Sequence, residues 1–139
     1  MKNIICFAFL LRTPLYDEIM EGKREGGLFN GYVAFSDILP YENTFSWPDN
    51  LEDELPDTID IHLDVHGGIT LDAIQKGNLM YMIPLTEIPH PDNFDGLRIV
   101  GFDTLHLDDT KEKWDFEGVK KETLRLYDQV LKLLHTNNK

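Results

Sequence analysis

The stretch Ile59-Asp60-Ile61-His62-Leu63-Asp64-Val65-His66-Gly67-Gly68-Ile69-Thr70 decides how the chain is read. Apolar and polar residues alternate strictly as far as His66, the period of a β-strand whose successive side chains point to opposite faces. Ile59, Ile61, Leu63 and Val65 share one face; Asp60, His62, Asp64 and His66 share the other. The Gly67-Gly68 step can be a two-residue hairpin turn or a bulge. Ile69-Thr70-Leu71 resumes strand chemistry, and Gln75-Lys76-Gly77-Asn78 makes the better turn. The spacing therefore predicts one bulged strand from about 59 to 71, with Leu79 to Leu85 returning antiparallel and Pro84 at its end or on an edge. A further strand, Leu97 to Asp103, then carries Asp103 and His106 to the sheet end that holds His66. A hairpin at Gly67-Gly68 would send them to opposite ends.

Outward from this stretch, Ile4 to Leu11 is an apolar run too short to span a bilayer. No small-residue cleavage site follows it before Arg12-Thr13-Pro14, so it reads as a core strand and the protein as cytoplasmic, with no membrane partner. Thr13-Pro14 offers an N-cap hydroxyl and a proline at the first helical position, giving a short helix from Leu15 to Glu21 ended by Gly22. Tyr32-Val33-Ala34-Phe35-Ser36 is a strand. Residues 37–57 form an acidic, proline-containing loop excursion, with Tyr41, Phe45 and Trp47 pinning it to the core. His90, between two prolines, is read as surface. From Phe116, the positions Val119, Leu124, Tyr127, Val130, Leu131 and Leu134 follow helical spacing, with Asp115 as N-cap. Residues 1–139 are thus expected to form a single α+β domain: a mostly antiparallel β-sheet of four to six strands packed by a long C-terminal α-helix.

Net charge is −12, and the middle of the chain is the acidic part. Between Asp37 and Asp109 only Lys76 and Arg98 are basic. Direct binding to a nucleic-acid backbone is disfavoured, because phosphate contacts need a basic footprint. An acidic middle keeps a protein soluble, holds cations, or meets a basic partner. The lone Cys6 sits in an apolar run, which excludes a disulfide framework and reads as a buried, inert thiol.

The residues that carry chemistry are His66, Asp103, His106 and Asp109, with Asp64 in support. A histidine oriented by a carboxylate titrates near neutrality and serves as general acid or base. His66, His106 and Asp103 are the candidate catalytic groups; Gly67, Gly68 and Thr70 are candidate ligand contacts, since glycine-rich turns present N–H groups to anions. Imidazole and carboxylate also ligate zinc, manganese or iron, so a divalent metal is admitted as cofactor, with Asp109 and Asp64 as ligands. His62 and His66 on one strand would stand about 13 Å apart, too far to share an ion. Asp60 and His62 are read as solvated surface, and Asp103 also suits a role bonding its own following backbone. Trp114, just before the helix, reads as a packing anchor.

Gly31-Tyr32-Val33, His66-Gly67-Gly68-Ile69-Thr70, Gly101-Phe102-Asp103-x-x-His106-x-x-Asp109 and Val119-x-x-Glu122-x-x-x-Leu126 resemble a family of small phage- and prophage-type proteins. That family has His-Gly-Gly-(Ile/Leu)-Thr and Gly-Phe-Asp-x-x-His-x-x-Asp motifs. The resemblance spans most of the chain after Gly31 and implies a mobile-element setting without naming a chemistry. Ile69, where leucine is expected, and the acidic stretch before Ile59 depart from the pattern. The combined expectation is a phage accessory protein that binds a small anionic or nucleotide-like ligand, with hydrolysis of that ligand left open. The alternative is an acidic protein-interaction or anti-defence module that inhibits a host protein and catalyses nothing. A purely structural network of the same polar residues is the third possibility.

Overall fold

The computed structural model describes residues 5–36, 39–41, 58–85 and 91–137. Its centre is a 5-stranded antiparallel sheet. Strand β1 (Cys6–Arg12) pairs with β2 (Phe29–Phe35), and β2 pairs with β5 (Arg98–Phe102). Two short strands close the edges, β3 (Leu71–Ile74) beside β5 and β4 (Ile83–Pro84) beside β1, in the order β3-β5-β2-β1-β4.

The unbroken apolar run of β1 is explained by burial on both faces. Cys6, Ala8 and Leu10 join Val33, Phe35, Val100 and Phe102 on one side. Phe7 and Phe9 join Ala34, Ile99, Phe94 and Leu97 on the other. Helix α2 (Phe116–Asn137) covers the first side with Val119, Leu126, Val130 and Leu134, all fully buried. Burying each such side chain contributes roughly 1.5–3 kcal/mol, so this seam fixes the helix on the sheet. The helix approaches closely at Gly31, where any Cβ would strike the Thr123 hydroxyl and the Phe102 ring. The second face is covered by Leu79, Met82, Phe94 and Leu97. Cys6 is buried, and that burial pushes its thiol up to about 12.

The start of α2 forms as expected: Gly118 N–H donates to the Asp115 carboxylate at 2.9 Å. The five-residue helix α1 (Tyr16–Met20) begins after Leu15, not at Thr13, because the Thr13 hydroxyl donates instead to Gly27 O at 3.0 Å. The helix closes where predicted, with Gly22 N–H on Ile19 O and Lys23 N–H on Glu18 O, the paired bonds of a Schellman motif. Among the described residues, no helix is long and apolar enough to cross a membrane.

The bulged strand predicted over 59–71 does not form. Ile59–His62 is a 3-10 turn, which leaves Ile61 exposed, and strand pairing begins only at Leu71. The backbone groups of the next residues are satisfied from α2 by side chains. Asp64 N–H donates to Gln129 Oε1 at 2.7 Å, and Gln129 Nε2 donates back to Asp64 O at 2.8 Å. That carboxamide pairs with one residue as a neighbouring strand would. Likewise the predicted return strand over 79–85 shrinks to Ile83–Pro84, which lies on the edge beside Phe9 and Leu10. Of the 37–57 excursion, Phe45 and Trp47 lie outside the described residues, as does His90. Tyr41 is described and sits with its ring 4.0 Å from that of His62.

Candidate functional site

Two tight turns face each other beside the N-terminal half of α2. The first is Val65–Gly68, closed by Gly68 N–H on Val65 O at 2.9 Å, with φ +69° at Gly67. The second is His106–Asp109, closed by Asp109 N–H on His106 O at 3.0 Å, with φ +74° at Asp108. A positive φ at the third position is what a type II turn requires, which suits glycine and is tolerated by aspartate. Gly67-Gly68 is therefore a turn and not a bulge. The site nevertheless assembles, because residues 59–65 are not in the sheet and so do not bind the turn to either sheet end.

The turns deliver His66, His106 and Asp109 to one place. His66 Nε2 lies 2.8 Å from Asp109 Oδ1, and the Asp109 side chain is only 4% exposed. The other carboxylate oxygen, Oδ2, accepts the His106 backbone N–H at 2.9 Å. Thus Asp109 is fixed at both oxygens, one by its own loop and one by a ring from 43 residues upstream. Asp103 Oδ1 stands 2.9 Å from His106 Nε2. That nitrogen is buried, and its approach to Asp103 is off the line a hydrogen bond needs, so it has charge nearby but no directed partner among the described residues. Gly67 makes the assembly possible sterically, since any Cβ there would overlap the His106 ring.

The His66 ring is held on two sides. Trp114 lies under it with ring centres 4.2 Å apart, and His106 meets it nearly edge-on at 5.4 Å and 82°. From the helix, Glu122 Oε2 accepts the His66 backbone N–H at 2.7 Å. Arg125 grips the same carboxylate at 2.8 Å, and this bond, with the His66 N–H adding to it, holds Glu122 below the usual carboxylate range.

A cleft of about 580 Å³ opens on the exposed side, lined by Glu25, Leu105, His106, Leu107, Asp108, Asp109 and Thr110. Its titratable lining is two aspartates, one glutamate and one histidine. Among the described residues, no lysine or arginine lines it.

Of the residues expected to form a site, the structure unites His66, His106, Asp103 and Asp109, with Gly67 against the His106 ring. Gly68 N–H is already used within its turn, and Thr70 donates its N–H to Gly101 O. Asp64 is turned away, its exposed carboxylate 3.3 Å from Arg125. His62 lies against Tyr41. The sequence reading missed Glu25 on the cleft wall, and Glu122 and Gln129 as supports. Glu122, Arg125 and Gln129 do form a polar row at helical spacing, but such rows ordinarily face only water. Trp114 is the packing anchor expected, 7% exposed, and is also the floor beneath His66. Comparison with protein-family models, with curated proteins and with solved structures finds no match.

Proposed function

We propose that this chain binds and hydrolyses a small anionic, nucleotide-like ligand, with His66 as its acid–base group. The observation that carries the reading is the His66 Nε2–Asp109 Oδ1 contact of 2.8 Å, made between two turns at the edge of an open cleft. A buried carboxylate at one ring nitrogen fixes the tautomer and orientation of an imidazole, leaving the other nitrogen to exchange a proton with a ligand or water. His106, beside Asp103, meets the His66 ring edge-on and itself lines the cleft. Leu105 and Leu107 give the cleft an apolar wall against which a base or sugar can lie. The mobile-element resemblance supports an accessory role in a phage setting.

The test is phosphate release and calorimetric binding with a panel of nucleotides. His66→Ala should lower turnover by about 10²-fold or more, the scale of a lost acid–base group. His106→Ala should weaken both binding and turnover. Binding and hydrolysis that persist in both variants would sink the reading. The charge of −12 favours one competing reading, an acidic inhibitory face for a basic host protein. Salt-sensitive capture of such a protein, unchanged by His66→Ala, would replace the ligand reading with that one.

A further inference from the structure

We infer that the site holds one divalent transition-metal ion, zinc or manganese in class, ligated by His66, His106 and Asp109. The inference rests on the ligand-site reading above and deepens it by naming what the site contains; with the ion bound, His66 serves as a ligand and no longer as the acid–base group. One nitrogen or carboxylate oxygen from each of these three residues lies within 4.8 Å of the other two. Zinc–nitrogen and zinc–oxygen bonds are about 2.0–2.2 Å long, so two ligands on one ion stand roughly 3 Å apart. The His66–Asp109 pair, at 2.8 Å, already has that separation, and the His106 donor lies within 4.8 Å of both. Two imidazoles and one carboxylate, with further positions open to a cleft, form the donor set of catalytic zinc and of non-haem iron sites.

Three independent features agree with this assignment. The first is electrostatic. Glu25, Asp108 and Asp109 line the cleft with no lysine or arginine among the described lining residues, so an anionic ligand arriving alone would meet like charge. A divalent cation reverses that sign and gives a phosphate oxygen something to bind. The second is the outer support of the donors. Metal-bound histidines and carboxylates are characteristically held from behind. Here Asp109 Oδ2 is held by the His106 backbone N–H, and the His66 backbone N–H is held by Glu122 of α2. The third is the His106 Nε2 atom, a buried nitrogen without a directed hydrogen bond among the described residues. Native proteins seldom leave such an atom unmatched. Asp64, proposed from sequence as a ligand, lies outside the trio and pairs with Arg125, so it has no part in the site.

The experiment uses the full chain, stripped with chelator and titrated with zinc chloride, with histidine ring nitrogens observed by NMR. One equivalent of zinc should shift the His66 and His106 rings and leave His62, His90 and His135 in place. Calorimetry should give one ion per chain, and His66→Ala, His106→Ala and Asp109→Asn should each weaken it at least tenfold. Asp103→Asn, which removes a charge 2.9 Å from His106 Nε2, should weaken it less than the loss of any of the three ligands. The wild-type NMR result does not depend on any variant folding. Unmoved His66 and His106 resonances at one equivalent of zinc, and also of manganese observed by relaxation, would overturn the inference. So would nucleotide turnover that needs His66 but persists unchanged in chelator; that result would leave the ligand reading standing. Zinc bound by the trio with no nucleotide binding would uphold the metal and remove the ligand.

Discussion

Two of the side-chain pairings that join distant parts of the chain are built in contrasting ways. On the helix-covered side of the sheet edge, Asp72 of β3 and Arg98 of β5 are each 1% exposed. Both carboxylate oxygens accept from the guanidinium at 2.8 Å, and the third Arg98 nitrogen donates to Tyr41 O at 2.8 Å. Its donors point only into protein. At the facing turns, His66 and His106 are a quarter to a third exposed, with side-chain values of 25% and 35%. One nitrogen there lacks a directed bond, and a cleft adjoins. A closed pair holds strands together; an open one keeps coordinating capacity for something that arrives from solvent.

The largest effect should come from breaking the closed pair. Asp72→Ala leaves a guanidinium buried without its anion, and removing one partner of a buried pair costs about 3–5 kcal/mol. Urea unfolding should show a loss of that size, with His66→Ala well below it. If Asp72→Ala cost no more than His66→Ala, the division into a structural pair and a functional pair would be wrong.

The same contrast explains what could be read from the sequence. β1, β2, β5 and α2 were legible because hydrophobic period and length report burial, and these elements are buried as their patterns require. His66, Asp103, His106 and Asp109 were legible as a set of chemical types. What the pattern could not give was the conformation of 59–65. Alternation reports which side each side chain takes, and Leu63 and Val65 are indeed inward. It does not report where the backbone N–H groups find acceptors. For Asp64 and His66 those acceptors are side chains 65 and 56 residues away on α2, and for Ile61 and Leu63 they are local carbonyls, so a segment with strand periodicity is held without a strand partner. Nor did it reveal Asp72–Arg98, because each looks like an ordinary surface charge until β3 and β5 are paired.

Gly67→Ala sharpens the comparison from the site's side. Its φ of +69° costs a non-glycine residue roughly 1–2 kcal/mol, and the new methyl would displace the His106 ring. Zinc affinity and nucleotide turnover should therefore fall much further than stability. At Gly68, whose Cβ would meet nothing within 4 Å, alanine should cost similar backbone strain and leave the His106 ring in place. Equal loss of zinc affinity in the two variants would show that Gly67 serves only its turn.

The smallest effect lies on the helix that ties the open site down. Glu122 is held below the usual carboxylate range chiefly by Arg125, with the His66 N–H assisting. The unfolded chain therefore takes up a proton at Glu122, near the ordinary glutamate value of about 4.3, before the folded chain does. The stabilisation from this group is complete above that value and is lost as pH falls through the lower folded one. Glu122→Gln keeps an oxygen for the His66 N–H but removes the charge that Arg125 grips. At pH 7 it should cost about 0.2–1 kcal/mol, the scale of a partly solvated ion pair. The gap from wild type should shrink as urea midpoints are followed from pH 7 down to about pH 3, below the ordinary glutamate value. A gap that stayed constant over this range would mean that Glu122 acts by shape and hydrogen bonding, and the helix's hold on the His66 turn would owe nothing to its charge.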